Sequence, residues 1–361
     1  MKLLILGGTA WLGHQTALSA LSAGHEVTCA ARGTSGTVPD GVRFLPADRE
    51  DDGGLSAAAQ QEWDAVIDVS RQPGQVRRAV RDLAPSAGFY GFVSTGNVYA
   101  SQKEFGQDED APLLPPLTAE VMEGMDSYGQ AKVACEAAVT AGFGPSRRAI
   151  VRSGLIGGPG DLSGRSGYWP LRFAHADGAE GRVLVPDAPD QPTQLIDVRD
   201  LARWLVQVAE ERTAGVFNAV GETVPLQQHL ALAAAAGGEA PGAAEADASF
   251  PGAGPSVLPR SAVPAPGGWL LGQGVREWSG PRSLPLWLAD PDWHGMNARS
   301  NARATAAGLR LRPLQQTLTD TLAWEEAAGV ERSRGAGLTR EEECALLARL
   351  DGADVFLPGP V

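Results

Sequence analysis

The stretch Leu3-Leu4-Ile5-Leu6 runs without a break into Gly7-Gly8-Thr9-Ala10-Trp11-Leu12-Gly13, and this junction constrains the fold more than any other feature. Four consecutive apolar residues suit a short strand buried on both faces, which needs parallel neighbours and helices on either side. They are too few for the core of a secretory leader. The glycines mark a tight turn that opens a helix over residues 13–23, closed by Gly24. Comparable apolar runs recur at 26–30, 42–45, 65–69, 89–94, 149–152 and 216–220. Between them, residues 75–83, 128–139 and 198–211 read as helices. The alternation predicts an α/β protein built on a parallel sheet covered on both faces.

The second half is less regular. Residues 157–192 are rich in Gly, Pro and Asp around Tyr168-Trp169. Residues 231–268 are dominated by Ala, Gly and Pro, which predicts a loose surface excursion. Residues 331–337 read as a linker. Thr339-Arg340-Glu341-Glu342 then has the spacing of a capping box, ahead of an amphipathic helix that presents Cys344, Leu347 and Leu350 to its own body. Asp197 stands at a strand-to-helix junction and is expected to cap the helix that follows.

A formal net charge of −13 argues against a nucleic-acid partner, because phosphate backbones are held by clustered Lys and Arg. No stretch approaches the roughly 20 apolar residues of a membrane span, so no membrane partner is expected either. The three cysteines, Cys29, Cys135 and Cys344, match no metal spacing. Cys29 and Cys135 read as small apolar fillers in a reducing compartment, which predicts a cytoplasmic protein without a metal.

A strand, a glycine turn and a helix in direct succession make a credible dinucleotide site. Gly7 and Gly8 permit the tight turn and a close backbone approach, and Gly13 lets the helix sit against the sheet. The helix N-terminus, reached through Thr9, Ala10, Trp11 and Leu12, then faces a pyrophosphate. Ala10 stands where a middle glycine is usual and is small enough to keep the site. At the end of the second strand, Cys29-Ala30-Ala31-Arg32-Gly33 carries an arginine where NAD-preferring sites carry an acid. A guanidinium there welcomes a 2′-phosphate, which favours NADP(H) while leaving NAD(H) open. Asp48, after the third strand, suits the adenine edge.

Tyr128-Gly129-Gln130-Ala131-Lys132 places a phenol and an ammonium one helical turn apart on the same face. The ammonium favours the phenolate and readies the tyrosine for proton transfer. Ser94-Thr95 closes the run at 89–94, at the strand edge where open α/β sheets bind ligands. A hydroxyl there can hold a substrate oxygen while Tyr128 exchanges its proton. Asn97, Tyr168, Trp169 and Arg172 are candidates for the substrate itself, which aromatic stacking and a guanidinium could recognise.

In these pieces, joined by Val98-Tyr99, Gly157-Gly158-Pro159 and Gln194-Leu195-Ile196-Asp197-Val198-Arg199-Asp200-Leu201-Ala202, the chain resembles the extended short-chain dehydrogenase/reductase superfamily, in its NAD-dependent epimerase/dehydratase branch. The remainder is similar to an actinobacterial group of reductase- or epimerase-like members. The resemblance implies a Rossmann-type doubly wound sheet with a smaller C-terminal substrate-binding lobe. The dinucleotide-binding core would span 1–155, rejoined by 196–220; the lobe would take 156–195 and 221–330, and a terminal helix 338–352. It assigns Thr95 as the catalytic hydroxyl, with Ser94 as the neighbouring alternative, Tyr128 as acid/base and Lys132 as its partner. It adds Ser94, Tyr128 and Lys132 to the cofactor contacts and allows a homodimer through the tyrosine helix.

The departures narrow the expectation. The family's 4,6-dehydratases carry an acidic pair after the catalytic threonine, and Gly96-Asn97 cannot serve for it. Its hexose epimerases carry an asparagine after the sixth strand, where Arg152-Ser153-Gly154-Leu155 offers none. The expected function is hydride transfer at a secondary alcohol or ketone of a nucleotide sugar or small specialised metabolite, as net oxidoreduction or epimerisation. A non-catalytic nucleotide or RNA binder of the same fold is the alternative, against which the intact Thr95, Tyr128 and Lys132 set counts.

Overall fold

Leu3 and Ile5 of strand β1 (Lys2–Leu6) pack into one hydrophobic layer and Leu4 and Leu6 into another, and all four are wholly buried. A strand so placed lies in the middle of a sheet with helices on each face. The structure is a computed structural model describing residues 1–176, 181–239 and 258–353. Beside β1 lie β2 (Glu26–Ala31), β3 (Arg43–Pro46), β4 (Ala65–Asp68), β5 (Tyr90–Thr95) and β6 (Arg148–Ser153), with Gly215–Ala219 at the edge. All seven strands pair in parallel, in the spatial order Gly215–Ala219, β6, β5, β4, β1, β2, β3. The direction of winding reverses between β1 and β4, where a Rossmann-type sheet opens its ligand crevice.

One face is covered by helices Trp11–Ser22 and Val198–Glu211, whose Ala17, Ala20, Leu201, Trp204 and Leu205 share a layer with Leu3 and Ile5. The other face is covered by Pro73–Leu83 and Tyr128–Phe143, through Val76, Val80, Leu83, Cys135, Val139 and Phe143. Pro73 opens its helix at the position where a fixed φ costs nothing. Asp197 caps Val198–Glu211 as expected, its carboxylate accepting from the Arg199 N–H at 2.8 Å.

The chain divides into two compact units. The first comprises Met1–Ile156, Ile196–Glu222 and Ala298–Leu311. The last segment corrects the expectation that all of 221–330 belongs to the substrate lobe: Ala304 and Leu309 are core residues of the sheet unit. The Trp204 indole N–H donates to the Ala307 carbonyl at 3.0 Å. Its only helix, Ala302–Ala306, is too short to show a period in sequence.

The second unit holds the described residues of 157–195, 223–297 and 312 onward. Residues 157–192 are more regular than their composition suggested, with helix Tyr168–Ala174 and strand Val183–Pro186. The loose excursion expected over 231–268 is corrected at its two ends. Residues 231–236 complete helix Leu226–Ala236, with Ala233 and Ala234 buried, and Ala262–Ala265 pairs in parallel with Val183–Pro186. Alanine suits helix interiors but leaves no hydrophobic stripe to read. Residues 240–257 of that stretch lie outside the described residues.

Nor is 331–337 a linker. Arg332 and Arg334 both bind the buried Glu325 carboxylate at 2.8 Å, and Ala336-Gly337 pairs with Gly280–Pro281. The terminal helix Arg340–Ala353 does carry its capping box, with reciprocal bonds between Thr339 and Glu342 of 2.9 and 3.2 Å. Its buried face is formed by Glu343, Leu346 and Leu347, while Cys344 is exposed, so the predicted seam is displaced. Among the described residues no helix is long and apolar enough to cross a membrane.

Candidate active site

Gly7 leaves β1 with φ of +89°, and its carbonyl accepts from the Ala10 N–H at 3.1 Å, closing the turn. A Cβ on Gly13 would stand 2.3 Å from the Gly7 oxygen, so only glycine lets the helix approach this closely. Gly13→Ala is therefore expected to destabilise the first unit by about 1–3 kcal/mol, read as a lower unfolding midpoint. An unchanged midpoint would mean that the turn yields without cost. Helix Trp11–Ser22 begins without a side-chain cap and without an acid in its first turn. A helix start of this kind is electrostatically suited to an anion.

Beyond this turn opens a cavity of about 460 Å³ in the first unit. Gly7, Thr9 and Ala10 form one wall, Arg32 and Asp48 another, and Arg49, Ser70 and Arg71 a third. Arg32 is exposed immediately after β2, and the Asp48 carboxylate accepts from the Glu50 N–H at 3.0 Å. Gly8 and Gly13 are buried beneath the turn, and Leu12 packs on the core. Trp11 is half-buried in the first helical turn.

Thr95 ends β5 almost buried, its hydroxyl oxygen accepting from the Asn97 N–H at 3.3 Å. Tyr128 opens helix Tyr128–Phe143, half-buried. The helix is seated against the Thr95 turn: a Cβ on Gly129 would come 2.2 Å from the Asn97 oxygen. Asn97 itself is exposed. One turn after Tyr128, Lys132 is 2% exposed. Its ammonium donates to the carbonyls of Ser70 at 2.7 Å and Val93 at 2.5 Å and lies 4.3 Å from the centre of the Phe92 ring. Ser94 points elsewhere, donating to Glu136 at 2.5 Å.

Glu136 belongs to a buried polar network that extends this helix to β6. Its carboxylate takes the Arg152 guanidinium in a fork, at 3.1 and 2.8 Å. Arg152 reaches on to the Tyr99 hydroxyl at 3.2 Å, which donates to the Asn218 side chain at 2.6 Å. Arg299 lies over the other side of this group, 5.0 Å from the Tyr99 ring and against the Gly96 backbone, where a Cβ would meet its guanidinium at 2.4 Å. Burial holds Arg299 down to about 10.

The profile of the NAD dependent epimerase/dehydratase family matches residues 3–220. The chain belongs to that family. No curated protein matches the chain. Among solved structures, the Bordetella bronchiseptica enzyme WbmH in complex with NAD+ is 17% identical, with a TM-score of 0.60 over 91% of this chain and 99% of that one. The UDP-N-acetylglucosamine 4-epimerase from Bacillus cereus is 13% identical, with a TM-score of 0.61 over 92% and 98%. The Thermus thermophilus UDP-glucose 4-epimerase complex with NAD is 18% identical, with a TM-score of 0.58 over 91% and 100%. At these identities the likeness is one of fold.

Within this family member, three residues named for the substrate lie in the second unit, on helix Tyr168–Ala174. Trp169 is corrected from a stacking surface to core: it is wholly buried and its indole N–H donates to the Pro285 carbonyl at 2.9 Å. Arg172 is nearly buried against Glu343, which neutralises it. Tyr168 lines a cavity of about 490 Å³ together with Arg282 and Arg334. Sequence reasoning passed over Asp68, Glu136 and Arg299. Glu136 had a signal, since it follows Lys132 at helical spacing on the same buried face. The other two had none: Arg299 packs on Tyr99 and Gly96 from far along the chain, and Asp68 beside Ser70 is common in turns until Arg49 and Tyr90 are seen to join it. Among the described residues no cluster of three His, Cys, Asp or Glu could hold a metal ion.

Proposed function

We propose that this chain is an NAD(P)-dependent oxidoreductase or epimerase, with NADP(H) preferred and NAD(H) possible, acting at a secondary alcohol or ketone of a nucleotide sugar or small specialised metabolite. The observation that carries this reading is the meeting of cavity and Tyr-Lys helix at one sheet edge: Ser70, which lines the cavity, accepts from the Lys132 ammonium. A dinucleotide fits the residues present, because the cavity opens against the Gly7–Ala10 turn and the helix start beside it carries no side-chain cap. When bound, the nicotinamide supplies or accepts the hydride. The Thr95 hydroxyl and the Tyr128 phenol hold the substrate oxygen, and Tyr128 passes the proton that balances each hydride. Lys132, one helical turn after Tyr128 and held by the Ser70 and Val93 carbonyls at the cavity wall, would contact the ribose of the bound dinucleotide.

Water elimination has no base of its own here, since Gly96-Asn97 lacks an acid and Arg299 crowds Gly96. The nucleotide-sugar epimerases among the similar structures favour a nucleotide sugar as substrate. The stretch Arg152-Ser153-Gly154-Leu155 offers no asparagine, which counts against the standard hexose pose, and Arg152 itself is taken up by Glu136. Arg32 favours NADP(H), whereas the NAD complexes among the similar structures favour NAD(H), and titration separates the two. Titration of NADPH and NADH by fluorescence is expected to show about a tenfold selective loss of NADPH affinity in Arg32→Ala, ~1.4 kcal/mol. Equal affinities for the two dinucleotides in both proteins would remove the 2′-phosphate role. Native mass spectrometry of the purified protein would identify a retained nucleotide directly.

A further inference from the structure

Asp68, the last residue of β4, is wholly buried and is bonded through both carboxylate oxygens. Oδ1 accepts from the Ser70 N–H at 2.9 Å, from the Ser70 hydroxyl, and from Arg49 Nη1 at 3.1 Å. Oδ2 accepts from the Tyr90 hydroxyl at 2.7 Å. Burial, and then the Asp68 charge, hold the Tyr90 phenol well above its ordinary range, so it stays a donor. The bond from the N–H two residues on makes an Asx turn, which fixes the peptide orientation at Ser70. The carbonyl of that same Ser70 receives the Lys132 ammonium.

We propose that Asp68 is a positioning residue for Lys132: its carboxylate sets the Ser70 turn so that the Ser70 and Val93 carbonyls clamp the ammonium beside the dinucleotide cavity. The inference rests on the reading of Lys132 as the partner of Tyr128 and adds the group that holds it. Lys132 is 2% exposed, with a cation–π contact and two carbonyls as its bonding partners, so its place depends on where those carbonyls aim. The Val93 carbonyl lies within a sheet ladder and is fixed by β5. Ser70 lies beyond the end of β4, and nothing in the ladder fixes it; Asp68 binds its N–H and hydroxyl, and Arg49, itself bonded to Asp68, donates to the same hydroxyl. Arg49 and Ser70 both line the cavity, so the clamp forms part of its wall.

The chain offers an unusually clean test, because its three lysines are Lys2, Lys103 and Lys132. Lys2 and Lys103 are exposed and serve as internal standards. Acetylation by acetic anhydride, read by mass spectrometry at each lysine, should find Lys132 protected in the wild-type protein. Asp68→Val removes the turn and is expected to raise Lys132 labelling about tenfold against the standards, as a local opening. Asp68→Asn, whose amide oxygen still accepts from the Ser70 N–H, should restore most of the protection.

Cys29 and Cys135 report on general loosening: burial pushes both thiols up to about 12, so they stay inert to a thiol reagent while the core is closed. Unchanged Lys132 labelling in Asp68→Val, or labelling that rises in step with both cysteines, overturns the proposal. Should Asp68→Val fail to fold, Asp68→Ala replaces it; its methyl group offers no acceptor to the Ser70 N–H, and the same two outcomes apply. If turnover survives Tyr128→Phe, the catalytic reading fails while the clamp can still stand. If labelling is indifferent to Asp68 and Tyr128→Phe is inactive, the clamp alone fails.

Discussion

Tyr128→Phe is expected to lose turnover by about 10²–10⁴-fold while folding and binding dinucleotide as the parent does. The structure separates the two effects. Tyr128 sits half-buried at the first position of its helix, and among the described residues no group hydrogen-bonds its hydroxyl. Removing that oxygen leaves no buried partner unsatisfied and creates no cavity, so the stability change should be small. The phenol's proton has no substitute nearby: Thr95 is a weak acid and Lys132 is held by two carbonyls. The measurement pairs nicotinamide oxidation or reduction at 340 nm with fluorescence titration of the dinucleotide. Undiminished activity in the variant would falsify the enzymatic reading and favour a non-catalytic binder of the same fold.

Glu136→Ala should have the largest effect on stability, a loss of about 3–5 kcal/mol. The side chains of Arg152 and Glu136 are 5% and 8% exposed, and the guanidinium meets the carboxylate in a two-point fork. Burial alone would lower the basicity of Arg152; Glu136 more than offsets it, so that the cation is held above its ordinary range. Without Glu136, a desolvated cation keeps, among the described residues, the Tyr99 hydroxyl and ring and the Glu109 carbonyl, and Ser94 loses its acceptor. Denaturant unfolding would measure the loss. Pairing Glu136→Leu with Arg152→Met removes both charges and is expected to recover most of the stability, since the penalty lies in the unpaired ion. A single variant as stable as its parent would mean that water or another acid reaches Arg152.

What the sequence disclosed depended on whether its signals were local. Leu3-Leu4-Ile5-Leu6 before Gly7 announced a central parallel strand because burial on both faces forces a continuous apolar run. Tyr128 and Lys132 were legible because one helical turn separates them. Helix Leu226–Ala236 was hidden because its alanines carry no stripe. Trp169 looked like a recognition surface because an aromatic in a Gly/Pro-rich stretch is ambiguous until its burial is known. Asp68 could not be read as a clamp from Asp68-Val69-Ser70, since the partners that give it meaning, Arg49, Tyr90 and Lys132, come from other elements.

The three-part make-up of the first unit bears on how the chain can be built and cut. Ala298–Leu311 is the last piece of that unit to leave the ribosome, yet Ala304 and Leu309 belong to its core and Arg299 covers Tyr99. A nascent chain ending near residue 220, where the family profile stops, has all seven sheet strands and still lacks these side chains. Its sheet must stay partly uncovered until the late segment arrives, a long-range closure of the kind that slows folding and exposes apolar surface meanwhile. A fragment designed from the family boundary alone would make that transient exposure permanent.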